Sequence, residues 1–148
     1  MSETTRSLNE LLQVLNDSAG FYDEAADAIG DPVYQSLFRR MAQNKRAIAD
    51  DLRVEIAARG DAPASGGTVG GSLRQGWAEL RARLASKPEL RFVSQLEESE
   101  DAVIRAFREA VLESDRAEVR AIAQKHMADI NRMHEEIRNL KHRLQKAA

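Results

Sequence analysis

The chain has no cysteine, which excludes disulfides, thiolate zinc sites and thiol nucleophiles. Three prolines and eight glycines in 148 residues are too few for a collagen-like or generally disordered chain. Aromatic residues make up only 5%, and the basic stretch 116–148 has none, so it offers no platform on which bases could stack. A formal net charge of −2 gives no basic field to attract nucleic acid or anionic lipid. No segment approaches the roughly 18 uncharged apolar residues of a membrane span. The start, Met1-Ser2-Glu3-Thr4-Thr5, lacks the basic residues and apolar run of a signal peptide. The expectation is a cytoplasmic protein with no membrane span and no nucleic-acid partner.

What is present is helical periodicity. Leu8, Leu12, Leu15, Ala19, Tyr22, Ala26 and Ile29 recur at spacings of four and three, which places them on one helical face. Asp31-Pro32 reads as an N-cap and a first-turn proline. The second stripe is Tyr34, Phe38, Met41, Lys45, Ile48 and Leu52, ending near Gly60. Residues 60–71 hold five glycines and read as a linker. A short amphipathic helix follows, with Leu73, Trp77, Leu80 and Leu84 in register, its apolar face anchoring the crossover. Pro88 opens a third long helix with Val93, Leu96, Glu100, Val103, Phe107 and Ala110. After Ser114-Asp115 comes a fourth with Val119, Ala123, His126, Ile130, Met133, Ile137, Leu140 and Leu144. No segment alternates with the period of a strand.

Two close-coupled helix pairs joined by a long connection describe an all-α, ferritin-like four-helix bundle with one crossover. The predicted organisation is a single domain over 1–148. Its helices span about 6–29, 32–59, 88–113 and 116–145, and a Gly-rich crossover over 60–87 carries the short helix at 72–85. Charge follows the helices. Residues 1–31 carry seven acids and one base, 32–60 three and six, 61–88 two and four, 89–115 eight and three, and 116–148 four and eight. An acidic helix followed by a basic one, twice over, fits complementary neighbours.

The informative positions interrupt the stripes. Lys45, Glu100 and His126 stand where periodicity demands apolar side chains. The second and third helices of this topology run parallel. Lys45 lies 13 residues after Pro32 and Glu100 12 after Pro88, so the two share a height. Reflecting Glu100 through the turn at 114–115 lands near Asp129, with His126 within a turn of it. The predicted buried polar layer is Lys45, Glu100 and His126, with Tyr22 about two turns away. Di-metal bundles of this topology need a Glu from each of two helices and a Glu-x-x-His pair from each of the others. Here Ala123, Asn131 and Asn139 precede His126, His134 and His142 by three, and the second helix has no histidine. A standard di-iron centre is therefore not expected. The layer reads as a Lys45–Glu100 ion pair with His126 as polar neighbour. The alternative is a single divalent metal held by Glu100 and His126 with Asp129. Met41, Met127 and Met133 read as core filling, and His134 and His142 as solvated. No residue stands out as catalytic, and no phosphate loop or nucleophile elbow is present.

Leu8-Asn9-Glu10-Leu11-Leu12, Tyr22-Asp23-Glu24-Ala25-Ala26, Leu37-Phe38-Arg39-Arg40-Met41-Ala42-Gln43, Gly76-Trp77, Glu100-Asp101-Ala102 and His134 with Ile137-Arg138-Asn139-Leu140 together carry a resemblance. Over nearly its whole length the chain resembles a bacterial domain-of-unknown-function family of ferritin-like four-helix-bundle proteins. It departs at Arg74, where that pattern has histidine. The resemblance implies a ferritin-like fold and a bacterial cytoplasmic setting, with stress-linked expression a common theme. Tyr22, Glu24, Glu100 and His134 match the family pattern. The expected function is a non-enzymatic helical bundle forming a homodimer or other homo-oligomer, with no cofactor and no identified protein partner. Apolar residues beyond one seam (Leu11, Val14, Val33, Leu37 and Ile104) motivate the self-association. The alternative is a metal-binding protein, in iron handling or as an oxidase or peroxidase, with a non-standard site around Glu100 and His126.

Overall fold

The computed structural model describes residues 2–67 and 88–147, so the expected short helix at 72–85, with Trp77, lies outside the described residues. Four helices account for nearly all of the rest: α1 (Glu3–Ala28), α2 (Pro32–Ala58), α3 (Pro88–Glu113) and α4 (Ala117–Ala147). No strand occurs among the described residues. α1 begins a turn earlier than periodicity alone indicates because Ser2 caps it. The Ser2 hydroxyl accepts from the Thr5 amide at 3.1 Å, satisfying one of the orphan donors of the first turn.

Asp31 caps α2 through a 2.8 Å bond from the Val33 amide, with Pro32 in the first turn. Asp31→Ala is expected to cost about 0.5–2 kcal/mol, read as a lower urea midpoint with an unchanged slope. α2 ends where Gly60 adopts φ +80°, a left-handed turn that glycine takes without a Cβ penalty. The chain then turns back along α1. Thr5 donates to Asp61 at 2.7 Å, the Asn9 carbonyl accepts from the Ala64 amide at 2.8 Å, and the Asn16 amide donates to the Gly66 carbonyl at 3.0 Å. The first residues of the crossover are thus strapped to the bundle by three polar side chains of α1.

Inter-helix pairs set the directions. Arg39 meets Asp27, and Arg46 meets Asp23, so α2 runs antiparallel to α1. His134 meets Asp101, and Lys141 meets Glu97, so α4 runs antiparallel to α3. Arg40 meets Glu136, and Lys125 meets Asp51, so α4 also runs antiparallel to α2. α2 and α3 are therefore parallel, as a bundle with one long crossover requires. The charge alternation along the chain resolves into these pairs. Arg39–Asp27, Arg46–Asp23 and Lys125–Asp51 lie toward solvent, contribute little to stability and mainly order the helices, whereas His134–Asp101 and Lys141–Glu97 are partly buried.

α1 packs closely along both α2 and α3, and α3 along α4, whereas the backbones of α2 and α4 stay further apart. The stripes read from the sequence form the core: Leu8, Leu12, Leu15, Tyr22, Phe38, Met41, Leu52, Leu96, Phe107, Ile130, Met133 and Ile137 are buried. Leu11 and Ile104 belong to this core too, so they are not surplus surface. Val33 is 75% exposed.

Candidate functional site

Each helix contributes one side chain to a layer near mid-bundle. Tyr22 comes from the core stripe of α1, Lys45 from α2, Glu100 from α3 and Met133 from α4. The stripes bring them inward because each occupies an i, i+3 or i, i+4 position among apolar neighbours. Lys45 Nζ donates to Glu100 Oε1 at 2.5 Å, and both side chains are 0% exposed. Tyr22 Oη donates to the same oxygen at 2.6 Å. The ammonium also lies 3.3 Å from Met133 Sδ and 5.6 Å from the centroid of the Tyr22 ring, within range of a cation–π attraction. The Tyr22 ring is tilted against Phe38 at 6.3 Å.

The second carboxylate oxygen, Glu100 Oε2, has no hydrogen-bond partner among the described residues, and neither does the Ser18 hydroxyl one turn before Tyr22. One oxygen of Glu100 thus takes two donors and the other takes none. Burial dominates the electrostatics. It pulls the Lys45 amine below its ordinary range, with the Glu100 carboxylate opposing the shift. It pushes the Tyr22 phenol well above its ordinary value, and the Glu100 carboxylate adds to that rise.

The structure brings Tyr22, Lys45 and Glu100 together, and no hydrogen bond or ion pair joins His126 or Asp129 to them. His126 Nε2 lies 2.7 Å from Asp51 Oδ2 on α2, and Lys125 holds the same oxygen at 3.0 Å. The hydrogen bond from Lys125 holds the Asp51 carboxyl below its usual range, burial opposes it, and His126 adds a further lowering. Asp129 is exposed and pairs with Arg132 at 2.9 Å. Tyr22 touches Glu100 directly rather than sitting two turns off.

The height projected for Asp129 also shifts, for a physical reason. Side chains lean toward the N-terminus of their own helix, so in an antiparallel pair the partners meet about a turn further along than backbone reflection predicts. Asp101 therefore meets His134 at 2.6 Å, and the level of Glu100 reaches Met133 instead. His134, expected to be solvated, is largely buried against that acid. Glu24 is exposed.

His126 and Asp129 do share one feature with the layer. With Asn44, Ile48, Arg132 and Met133 they line a groove of about 170 Å³ at the α2–α4 seam. Met133 is the side chain common to groove and layer. Two residues escaped the sequence reading: Asp51 and Asp101. Both look like ordinary charges on an outer flank, and only the register between helices reveals the histidine each one faces.

A metal centre is what this topology holds elsewhere. Among the described residues, no three His, Asp or Glu side chains are grouped to hold a metal ion, and an ammonium already sits on the only buried carboxylate. The residues do not fit a di-metal centre.

Helix order, directions and the buried mid-bundle layer define a ferritin-like four-helix bundle. Two solved structures share that fold. One is a conserved hypothetical protein, Rv2844, from Mycobacterium tuberculosis, with TM-score 0.69 and 18% identity, covering 95% of this chain and 99% of that one. The other is a mutant of Dps1 from Mycobacterium smegmatis, with TM-score 0.71 and 16% identity over the same shares. Residues 3–113 match the model of the family described as Domain of unknown function (DUF2383), and the chain belongs to that family. The match includes Tyr22, Lys45 and Glu100 and stops short of α4. No curated protein matches the chain in sequence. No described helix is long and apolar enough to cross a membrane.

Proposed function

We propose that this protein is a non-catalytic helical bundle that works by self-association, as a scaffold or binding protein of the cytoplasm, with its mid-bundle layer closed by its own charges. The observation that carries this reading is the 2.5 Å contact of Lys45 Nζ with Glu100 Oε1, both fully buried. Lys45 Nζ and Tyr22 Oη together occupy Glu100 Oε1, and Tyr22, Lys45, Glu100 and Met133 are all fully buried, so no group of the layer meets solvent. The self-association part of the reading is motivated by apolar residues left at the surface of the helices, Val33, Val54 and Leu112, which stand singly rather than as one patch.

Protein purified without chelator is expected to carry iron and manganese well below one ion per chain, and to sediment as a dimer or larger at micromolar concentration. Stoichiometric metal that disappears in Glu100→Ala would overturn the first half of this reading, and a monomer throughout the concentration range the second.

A second reading rests on the unpartnered Glu100 Oε2 and on the nearby groove with His126 and Asp129. It is a metal-handling or oxidase-type bundle with a non-standard site, and the same metal analysis, extended to His126→Ala, decides for or against it.

A further inference from the structure

We infer that self-association runs through one pairing of surfaces: the basic end of α4 in one copy docks on the grooved, acidic end of α3 in a second copy. This rests on the self-association proposed above and names the two surfaces that carry it.

The acidic end has shape as well as charge. A groove of about 420 Å³ lies between α1 and α3 beside the α3–α4 turn, with Leu11, Ala106, Ala110 and Val119 in its walls. Five carboxylates and only two guanidiniums line it. Glu3 and Arg116 satisfy each other across it, whereas Glu10, Glu109 and Glu113 form no ion pair among the described residues. Glu109 and Glu113 also line a second hollow of about 510 Å³ on the other flank of α3, together with Leu112, which is 79% exposed. The end of α3 is therefore a ridge between two hollows. Its carboxylates stand where the helix dipole is itself negative, and no base occupies the last turn. Charge of one sign accumulates there without an internal partner, and cations from outside relieve it.

The end of α4 is the complement. Residues 138–148 hold Arg138, Lys141, Arg143 and Lys146 and no acid. Lys141 is taken by Glu97, but Arg143 and Lys146 are exposed and form no ion pair among the described residues. A chain cannot fill its own groove with them. α4 starts beside the groove, and its 31 residues carry the chain about 45 Å away. Two copies lying antiparallel along α3 bring each basic end to the other copy's acidic end. The contact is then made twice, and a two-fold pair of this kind is closed.

The test is sedimentation velocity at micromolar concentration and low salt on wild type, Glu109→Lys/Glu113→Lys, Arg143→Glu/Lys146→Glu, and an equimolar mixture of the two variants. The first variant is expected to stay folded, because cations suit a helix C-terminus. Each variant alone sets like charges against each other at both contacts, and is expected to self-associate at least about tenfold more weakly than wild type. The mixture opposes unlike charges again at both contacts and is expected to form a 1:1 heterodimer. Wild type should dissociate as ionic strength approaches about 1 M, where the screening length is about 3 Å. Should Arg143→Glu/Lys146→Glu fray α4, Arg143→Gln/Lys146→Gln replaces it and must also weaken the wild-type association. A wild-type assembly that either variant leaves intact, that the mixture does not restore, or that high salt does not weaken overturns this pairing while leaving self-association standing. A wild-type monomer throughout the concentration range overturns both.

Discussion

Lys45→Ala is expected to lower the stability of the folded chain by about 3–5 kcal/mol, the typical result of stripping one partner from a buried ion pair. The thermal midpoint should fall by on the order of 10 °C. The loss comes from what is left behind. Glu100 keeps the Tyr22 bond but stays fully buried with no counter-charge, and a carboxylate in that state must take up a proton or draw in water. The same physics predicts an asymmetry. Replacing both partners together, as Lys45→Met with Glu100→Leu, should recover most or all of the stability, because two charges are no longer held out of water. Urea denaturation of the two single variants and the double variant yields the coupling between the residues. A Lys45→Ala loss below about 1 kcal/mol is the size of an exposed pair and would show that the two groups do not face each other as charges in a dry core.

Tyr22→Phe should cost about 1.5–3 kcal/mol, the worth of a hydrogen bond to a charged group, because Glu100 Oε1 then rests on Lys45 alone. The ring stays and so does its packing on Phe38, so the change reports the hydroxyl. A pH signature accompanies it. The folded phenol titrates well above its ordinary value, for burial first and the neighbouring carboxylate second. In the unfolded chain it ionises near pH 10. A raised folded value means that the stabilisation is complete below pH 10 and is lost as pH climbs above it. The urea midpoint of the wild-type protein should therefore decline above pH 10 more steeply than that of Tyr22→Phe. Lys45 works in the opposite sense. Its amine is lowered, so its own contribution to stability rises with pH just below the ordinary lysine range, and the comparison at constant Lys45 isolates the tyrosine. In a Tyr34→Phe background, tyrosinate absorbance from Tyr22 is expected to appear only with global unfolding.

Much of this was readable in the residues, and the exceptions have causes. Lys45 and Glu100 each break an apolar stripe, and their equal distance from a helix-opening proline places them at one height, where the ion pair forms. That inference needed only periodicity and the parallel course of α2 and α3. His126 breaks a stripe just as plainly, yet it turns to Asp51 across the loosely packed α2–α4 seam. Stripe membership says that a position faces inward, but not which flank of a wide seam its polar tip prefers. Asp129 was placed by reflecting backbone heights through a turn, and the lean of side chains toward their own N-termini moves the true meeting level to Met133. A thioether within reach of an ammonium leaves no mark in the sequence, since methionine fills any core. The start of α1 depended on a single capping hydroxyl at Ser2, outside the apolar pattern altogether.

The charge on Lys45 Nζ can be observed directly by side-chain ¹H–¹⁵N correlation of uniformly labelled protein at neutral pH. A buried ammonium bonded to Glu100 Oε1 and resting against Met133 predicts one NH₃⁺ resonance that exchanges slowly with water, belongs to Lys45, and shifts or disappears in Glu100→Gln. A spectrum in which every lysine exchanges rapidly, or in which the Lys45 signal ignores Glu100→Gln, would contradict the buried pair and with it the closure of the layer by the protein's own charges.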